Sequence, residues 1–391
     1  MLHSHLLTDT VQLAADDQVL ILNSAADPFV RVAAQQLSAG IITLAEDNIA
    51  ALQGYQGLPV PQTGFRKGPP HDTPGSRKGP STTQPYPLPL HVWPLPYDGS
   101  AVPGYPNFWW VPFHQYISRY PQATMDVAVM NLLYQGSNAW VMYGLQVAVY
   151  ALKAGGRLYV VGAKDRGVLS VAKRMQAQFG NIETLAISKG HRVVCCIQPQ
   201  QNVAELFLGD RYPLAGTRDR TELVPAVFAN GKLDEGTQLL LEALEVHVTD
   251  EALDIGCGAG FIGMHIAGLA SKGMVTMVDA SLAAVDAAQG MIERSGLTNI
   301  RVLASDGAQE VLSERFDLVV TNPPFHLGGI QTTETAERFI REATQVLRPR
   351  GRFYLVANRF LKYEPVMRSC FGTVEEVSGN ARYKVLRCSR M

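Results

Sequence analysis

Two distant stretches of this chain are written in the same grammar. MDVAVMNLLYQGSN followed by LKAGGRLYVVGA in the first half mirrors FDLVVTNPPFHLGG followed by LRPRGRFYLVAN in the second. Asp126 aligns with Asp317, Asn131 with Asn322, and Gly156-Arg157 with Gly351-Arg352. Around both, apolar runs of strand length alternate with helical periodicity. QVLILNSA, PFVRVAAQQL and GIITLAED precede the first stretch; EALDIGCGAG, FIGMHIAGLA, MVTMVDAS, AAVDAAQGMIERSG and NIRVLASD precede the second. Strands separated by helices pair in parallel through right-handed crossovers. The pattern predicts an α/β fold of two tandem, doubly wound Rossmann-like domains derived from one duplicated unit.

Length agrees with two domains. At 391 residues the chain exceeds what one core usually supports, and 47% hydrophobic residues against 18% charged ones exclude a disordered or fibrous chain. The expected division is a first domain over 1–205, a linker over 206–224 and a second domain over 225–391. Within the first, fifteen of the 23 prolines fall between Pro59 and Pro121, and RKGP occurs twice, at Arg66–Pro69 and Arg77–Pro80. Such a stretch sustains neither helix nor interior strand, so an irregular insertion is expected over about 54–121. Trp93, Tyr97, Tyr105, Phe108, Trp109 and Trp110 crowd its second half; they are read as pinning it to a domain surface, with stacking on RNA bases as the other reading.

No apolar run approaches the roughly 18 residues of a membrane span, and MLHSHLLTDTVQLAADD lacks the basic n-region of a secretory signal. The five cysteines (Cys195, Cys196, Cys257, Cys370, Cys388) form no CxxC pair and have no histidine at ligand spacing. The expectation is a cytoplasmic chain with free thiols, no structural metal and no membrane partner.

The second half carries a constellation of residues suited to a nucleoside ligand. LDIGCGAGFIG places Asp254, Gly256, Cys257, Gly258 and Gly260 at a strand-to-helix turn, where glycine permits positive φ and lets a ligand approach the backbone. Asp279, with Ala280 after it, ends the next strand; its carboxylate can accept both hydroxyls of a ribose. Asp306 and Gly307 follow the third strand, where a carboxylate suits an adenine amino group. The GxGxG spacing departs from the dinucleotide fingerprint GxGxxG. After the fourth strand stands Asn322-Pro323-Pro324-Phe325. Hydride transfer has no use for that tetrapeptide, but methyl transfer to a planar amine does. Such an amine is a poor nucleophile because its lone pair is delocalised. The Asn322 side-chain carbonyl and the Pro323 backbone carbonyl, accepting its two hydrogens, can orient it. Pro323 and Pro324 stiffen the turn, and Phe325 offers a face for a flipped base. S-adenosylmethionine is the expected methyl donor, with no metal.

The chain from about Pro225 to Arg387 resembles the ribosomal RNA guanine-N2 methyltransferases of the RsmC/RlmG kind. FANGKLDEGTQLLLEAL, LDIGCGAGFIG, TNPPFHLGGIQTT, ANRFLKYEP and RYKVLRC carry the likeness. The resemblance implies two tandem methyltransferase-like domains, the first degenerate. It implies cofactor contacts from Thr237, Gly256, Gly258, Asp279, Asp306 and Asn322, and guanine contacts from Phe325 and His326. Two features depart from the family: Ala229-Asn230 replaces its Ser-Arg lead-in, and the Pro-rich insertion is additional. In the first half the tetrapeptide reads Asn131-Leu132-Leu133-Tyr134 and LNSAADPF replaces the glycine loop, so that half is expected to grip RNA or pack against the other.

Net charge is −1, yet Arg348 to Met391 holds ten basic residues against three acids. A phosphate-binding patch is the expectation there. The function expected is methylation of the guanine N2 amine in ribosomal RNA or a ribosomal subunit, the small subunit before the large, by a monomer. Adenine N6 or a protein glutamine is the alternative acceptor. An RNA-binding ribosome assembly factor is the non-enzymatic alternative.

Overall fold

The structure, a computed structural model, describes residues 2–53, 108–199, 234–324, 326–327, 330–331 and 333–390. In the first half, β1 (Gln18–Leu22), β2 (Ile41–Glu46), β3 (Phe108–Pro112), β4 (Met125–Asn131), β5 (Leu152–Ala163), β6 (Glu183–Ser188) and β7 (His191–Ile197) form one sheet. Its order is β3-β2-β1-β4-β5-β7-β6. The second half has β8 (Ala252–Ile255), β9 (Val275–Asp279), β10 (Ile300–Ala304), β11 (Phe316–Thr321), β14 (Leu347–Asn358), β15 (Glu375–Gly379) and β16 (Tyr383–Ser389). Their order, β10-β9-β8-β11-β14-β16-β15, is the same topology repeated. Each sheet is parallel except for its last three strands, which pair antiparallel. A separate hairpin joins β12 (His326–Leu327) to β13 (Ile330–Gln331).

The helices are α1 (Leu2–Thr10), α2 (Phe29–Gln36), α3 (Ile49–Leu52), α4 (Tyr116–Arg119), α5 (Asn138–Ala151) and α6 (Val168–Phe179) in the first half. In the second they are α7 (Glu235–Ala243), α8 (Phe261–Leu269), α9 (Leu282–Ser295), α10 (Glu334–Val346) and α11 (Glu364–Phe371). Because central strands are covered on both faces, they read as unbroken apolar runs. Val19, Leu20, Ile21 and Leu22 of β1 are all buried, as are Leu318, Val319 and Val320 of β11.

The residues that align between halves do the same structural work in each. Asp126 accepts from Lys153 Nζ at 2.7 Å and from Gln18 N–H at 2.9 Å; Asp317 accepts from Arg348 at 2.6 Å and from Glu251 N–H at 3.1 Å. Arg157 pairs with Asp17 at 3.0 Å, and Arg352 with the buried Asp250 at 2.5 Å. These pairs tie the entry of the first strand of each unit to its fourth and fifth strands. The duplication therefore survives in side-chain interactions as well as in strand order.

The two units meet through the loops that follow β2 and β9. Ile49 N–H donates to the Ala280 carbonyl at 3.0 Å, and Leu282 N–H donates to the Asp47 carbonyl at 2.9 Å. Asn48 and Ser281 form an antiparallel bridge between them. Each partner lies just after the second strand of its own unit, so the joint has approximate twofold symmetry. One apolar cluster, including Leu7, Ile49 and Leu52 of the first half and Ile266, Leu282 and Val285 of the second, runs through both.

Two expectations require correction. The insertion does not extend to 121, because Phe108–Pro112 is β3, paired in parallel with β2 at the edge of the first sheet. Phe108 and Trp110 are core residues there, and a proline at the end of an edge strand withdraws no needed donor. Trp93, Tyr97 and Tyr105 lie outside the described residues. The basic C-terminal run is also less free than its charge count implies, because seven of its ten basic residues are engaged. Arg348, Arg352, Arg359, Arg382, Lys384 and Arg387 pair with Asp317, Asp250, Glu376, Glu235, Glu364 and Glu245 respectively, Arg387 also with Glu375. Arg390 bonds the Leu347 carbonyl. Glu364, Glu375 and Glu376 lie within the run, but Glu235, Glu245, Asp250 and Asp317 lie well before it, where a local count of charges could not see them.

Candidate active site

The sequence-predicted residues converge on one edge of the second sheet, where the parallel strands β8, β9, β10 and β11 end side by side. After β8, Gly256, Gly258 and Gly260 all have positive φ (74°, 54° and 89°), which is why glycine stands at each. The loop is tied to the end of β9: Gly256 and Cys257 N–H donate to the Val278 carbonyl, and Gly258 N–H donates to Asp279 Oδ2 at 2.9 Å. Cys257 is buried, and its surroundings raise its thiol well above the ordinary range, burial first and then Asp279 and Asp254.

Asp279 accepts a second backbone bond, from Ser281 N–H to Oδ1 at 2.8 Å. Burial raises its carboxyl to about 6, with those N–H donors opposing the rise. Each oxygen keeps a further lone pair for a hydroxyl. A glycine loop without Cβ atoms beside a two-oxygen acceptor therefore fits the ribose of an adenosine group. Asp254 stands apart from this surface. It is fully buried, its Oδ2 accepts Gly263 N–H at 2.9 Å, and burial raises it to about 7. Its position is that of a brace between β8 and α8. Asp306, beyond β10, pairs with Arg338 at 2.5 Å and its carbonyl accepts from the same guanidinium. Gly307 next to it also has positive φ (66°).

Asn322, just after β11, is oriented by α7. Asp234 caps that helix, accepting the Gly236 and Thr237 N–H groups. The Thr237 hydroxyl gives its one proton to Asp234 Oδ2. It can then only accept, and it does so from Asn322 Nδ2 at 2.9 Å. Asp234 accepts from the same nitrogen at 3.4 Å. The amide is thereby fixed with its nitrogen toward α7 and its Oδ1 available for an N–H donor. Asn322 and Pro323 line a small cleft with Asn358, Leu361, Tyr363 and Tyr383. Pro324 follows and is exposed. Phe325 lies outside the described residues; His326 opens β12.

The aligned Asn131 shows the contrast. Its Nδ2 donates to Asp27 at 2.6 Å, while its Oδ1 accepts Leu133 N–H and lies 3.2 Å from the His3 ring. Gln135 fills the space beneath, donating to the Leu22, Asn23 and Asn131 carbonyls. The amide is fully enclosed with both ends engaged. Sequence reasoning missed Asp234, although Asp-Glu-Gly-Thr before an apolar helix is an N-cap signature. It also missed the cleft residues Asn358, Leu361, Tyr363 and Tyr383.

The fold, with its strand-end glycine loop and NPP turn, is that of a methyltransferase. Residues 221–387 match the methyltransferase small domain family model. The chain belongs to the family of ribosomal RNA small subunit methyltransferase C. It is 36% identical over 255 residues to that protein from Hahella chejuensis, covering 63% of this chain and 72% of the relative. With the Pseudomonas entomophila protein of the same name, identity is 32% over 279 residues, covering 69% and 81%. The solved T. thermophilus 16S rRNA N2 methyltransferase (RsmC), in complex with AdoMet and guanosine, shares the fold. Its TM-score is 0.72 at 24% identity, over all of this chain and 92% of that one.

Proposed function

We propose that the chain transfers a methyl group from S-adenosylmethionine to the exocyclic N2 amine of a guanine in small-subunit ribosomal RNA. The observation that carries this reading is the Asn322 amide, held through its nitrogen by Thr237 and Asp234 in a cleft that Pro323 also lines, with no donor among the described residues on its oxygen. Bound to the glycine loop and Asp279, the cofactor supplies an electrophilic methyl on a sulfonium. Asn322 Oδ1 and the Pro323 carbonyl accept the two amine hydrogens, which aligns the nitrogen lone pair and favours tetrahedral character as the bond forms. No general base is required before transfer, because the amine becomes more acidic as it is alkylated. Phe325 supplies the stacking face for the base, and His326 a substrate-side hydrogen bond.

The names of the relatives favour the small subunit. The chain is expected to work as a monomer in the cytoplasm. No helix among the described residues is long and apolar enough to cross a membrane. Labelled S-adenosylmethionine, offered with small-subunit RNA, large-subunit RNA and a glutamine-bearing peptide, tests the reading. Label is expected in the small-subunit RNA; label on the peptide alone would overturn it.

A further inference from the structure

We propose that Asp47, from the degenerate half, is a positioning residue for the cofactor-binding carboxylate Asp279, so that the first half sets the cofactor affinity of the second. The inference rests on reading Asp279 as the ribose acceptor. The residues that follow Asp279 are held from across the joint as well as by their own helix cap, in which Ser281 Oγ accepts Ala284 N–H at 3.2 Å. Asp47 Oδ2 accepts the Ser281 hydroxyl at 2.6 Å, Oδ1 accepts Ala283 N–H at 2.8 Å, and the Asp47 carbonyl accepts Leu282 N–H at 2.9 Å. Ile49 N–H meets the Ala280 carbonyl at 3.0 Å. Asp47 thus adds to the Ser281 cap of α9 in trans, its carbonyl on Leu282 N–H and its carboxylate on Ala283 N–H, where the helix dipole also favours it.

A second attachment lies one turn further along α9. The buried His114 has Nε2 at 2.8 Å from Asp286 and Nδ1 at 3.6 Å from Asp47, while the Gln115 amide also donates to Asp286. The start of α9 is therefore gripped at Ser281 to Ala283 and again at Asp286, by residues of one loop and one strand end of the first half. The consequence reaches the site through one bond. Ser281 N–H donates to Asp279 Oδ1 at 2.8 Å while Gly258 N–H holds Oδ2 at 2.9 Å. With both N–H groups in place, the carboxylate is fixed in the plane that leaves its other lone pairs to the diol. If Ser281 moves, one of the two anchors is lost and the carboxylate must be ordered by the ligand itself. The apolar cluster running through both halves already joins them, so loss of one cap falls on affinity rather than on folding.

The test uses the full chain, with equilibrium binding of S-adenosylmethionine, thermal melting and methyl-transfer kinetics on the same preparations. Asp47→Asn is expected to weaken cofactor binding about tenfold, the cost of a charge-assisted bond. Ser281→Ala, which removes the hydroxyl that both donates to Asp47 and accepts Ala284 N–H, is expected to weaken it a few-fold and carries the test should Asp47→Asn fail to fold. Turnover at saturating cofactor is expected to stay within about twofold of wild type in both. Unchanged affinity in the folded variants, or lost turnover with unchanged affinity, would overturn the positioning role. Asp279→Ala separates this from the underlying reading. Full cofactor affinity in that variant sinks the assignment of the site itself. Lost affinity there, with none lost in the Asp47 and Ser281 variants, sinks only the role of Asp47.

Discussion

At the scale of single residues, Asn322 and Asn131 differ in how much of the amide the protein itself uses. Both stand at the end of the fourth strand of their units, yet Asn131 is enclosed by Asp27, His3 and Leu133. Asn322 spends only its nitrogen, on Thr237 and Asp234. Its oxygen is the acceptor proposed for the guanine amine, so Asn322→Ala should lower kcat by about 10²- to 10³-fold, as when an oriented transition-state partner is removed. Cofactor affinity should fall only a few-fold. Thr237→Val, which loosens the amide without deleting it, should give an intermediate loss in single-turnover assays. Wild-type turnover in both variants would refute the role of the amide. The motif NPPF made Asn322 visible in the sequence. The proton order that orients it was not visible, because Asp234 and Thr237 act on it from a helix far away in the chain.

At the scale of elements, the second-strand loops carry most of the coupling, and His114 is their charge. Burial disfavours its charged form, but its hydrogen bond to Asp286 and the neighbouring Asp47 carboxylate outweigh that and raise it to about 9. The folded value thus lies above the ordinary 6.5. Its contribution to stability is complete below about pH 6.5 and is lost as pH rises through about 9. Melting temperature should therefore decline between about pH 7 and 10 in the wild type. The decline should be shallower in His114→Gln; equal slopes would show that the residue does not titrate with folding. Strand identities were legible because buried parallel strands are predominantly apolar, as in β1, β8 and β11. β3 was hidden behind prolines, and Glu235, Glu245, Asp250 and Asp317, partners of the basic C-terminal run, were hidden by distance in sequence.

At the scale of the whole molecule, duplication left two units with one strand order and one set of bracing ion pairs, of which only the second keeps an open strand-end site. Asp126 and Asp317, or Arg157 and Arg352, recur because the sheet needs them. The glycine loop and NPP turn occur only in the second half, which agrees with the single site proposed there. The alignment of the halves could not distinguish those two reasons for recurrence; the hydrogen bonds do. Neither could the sequence show that Asp47 reaches Ser281 across the joint, a contact with no local signature. The central claim, methylation at guanine N2, is tested most directly by digesting small-subunit ribosomal RNA after incubation with the chain and S-adenosylmethionine, and identifying the modified nucleoside by mass spectrometry. N2-methylguanosine is the predicted product. N6-methyladenosine, or RNA left unmodified while a glutamine peptide is methylated, would contradict it.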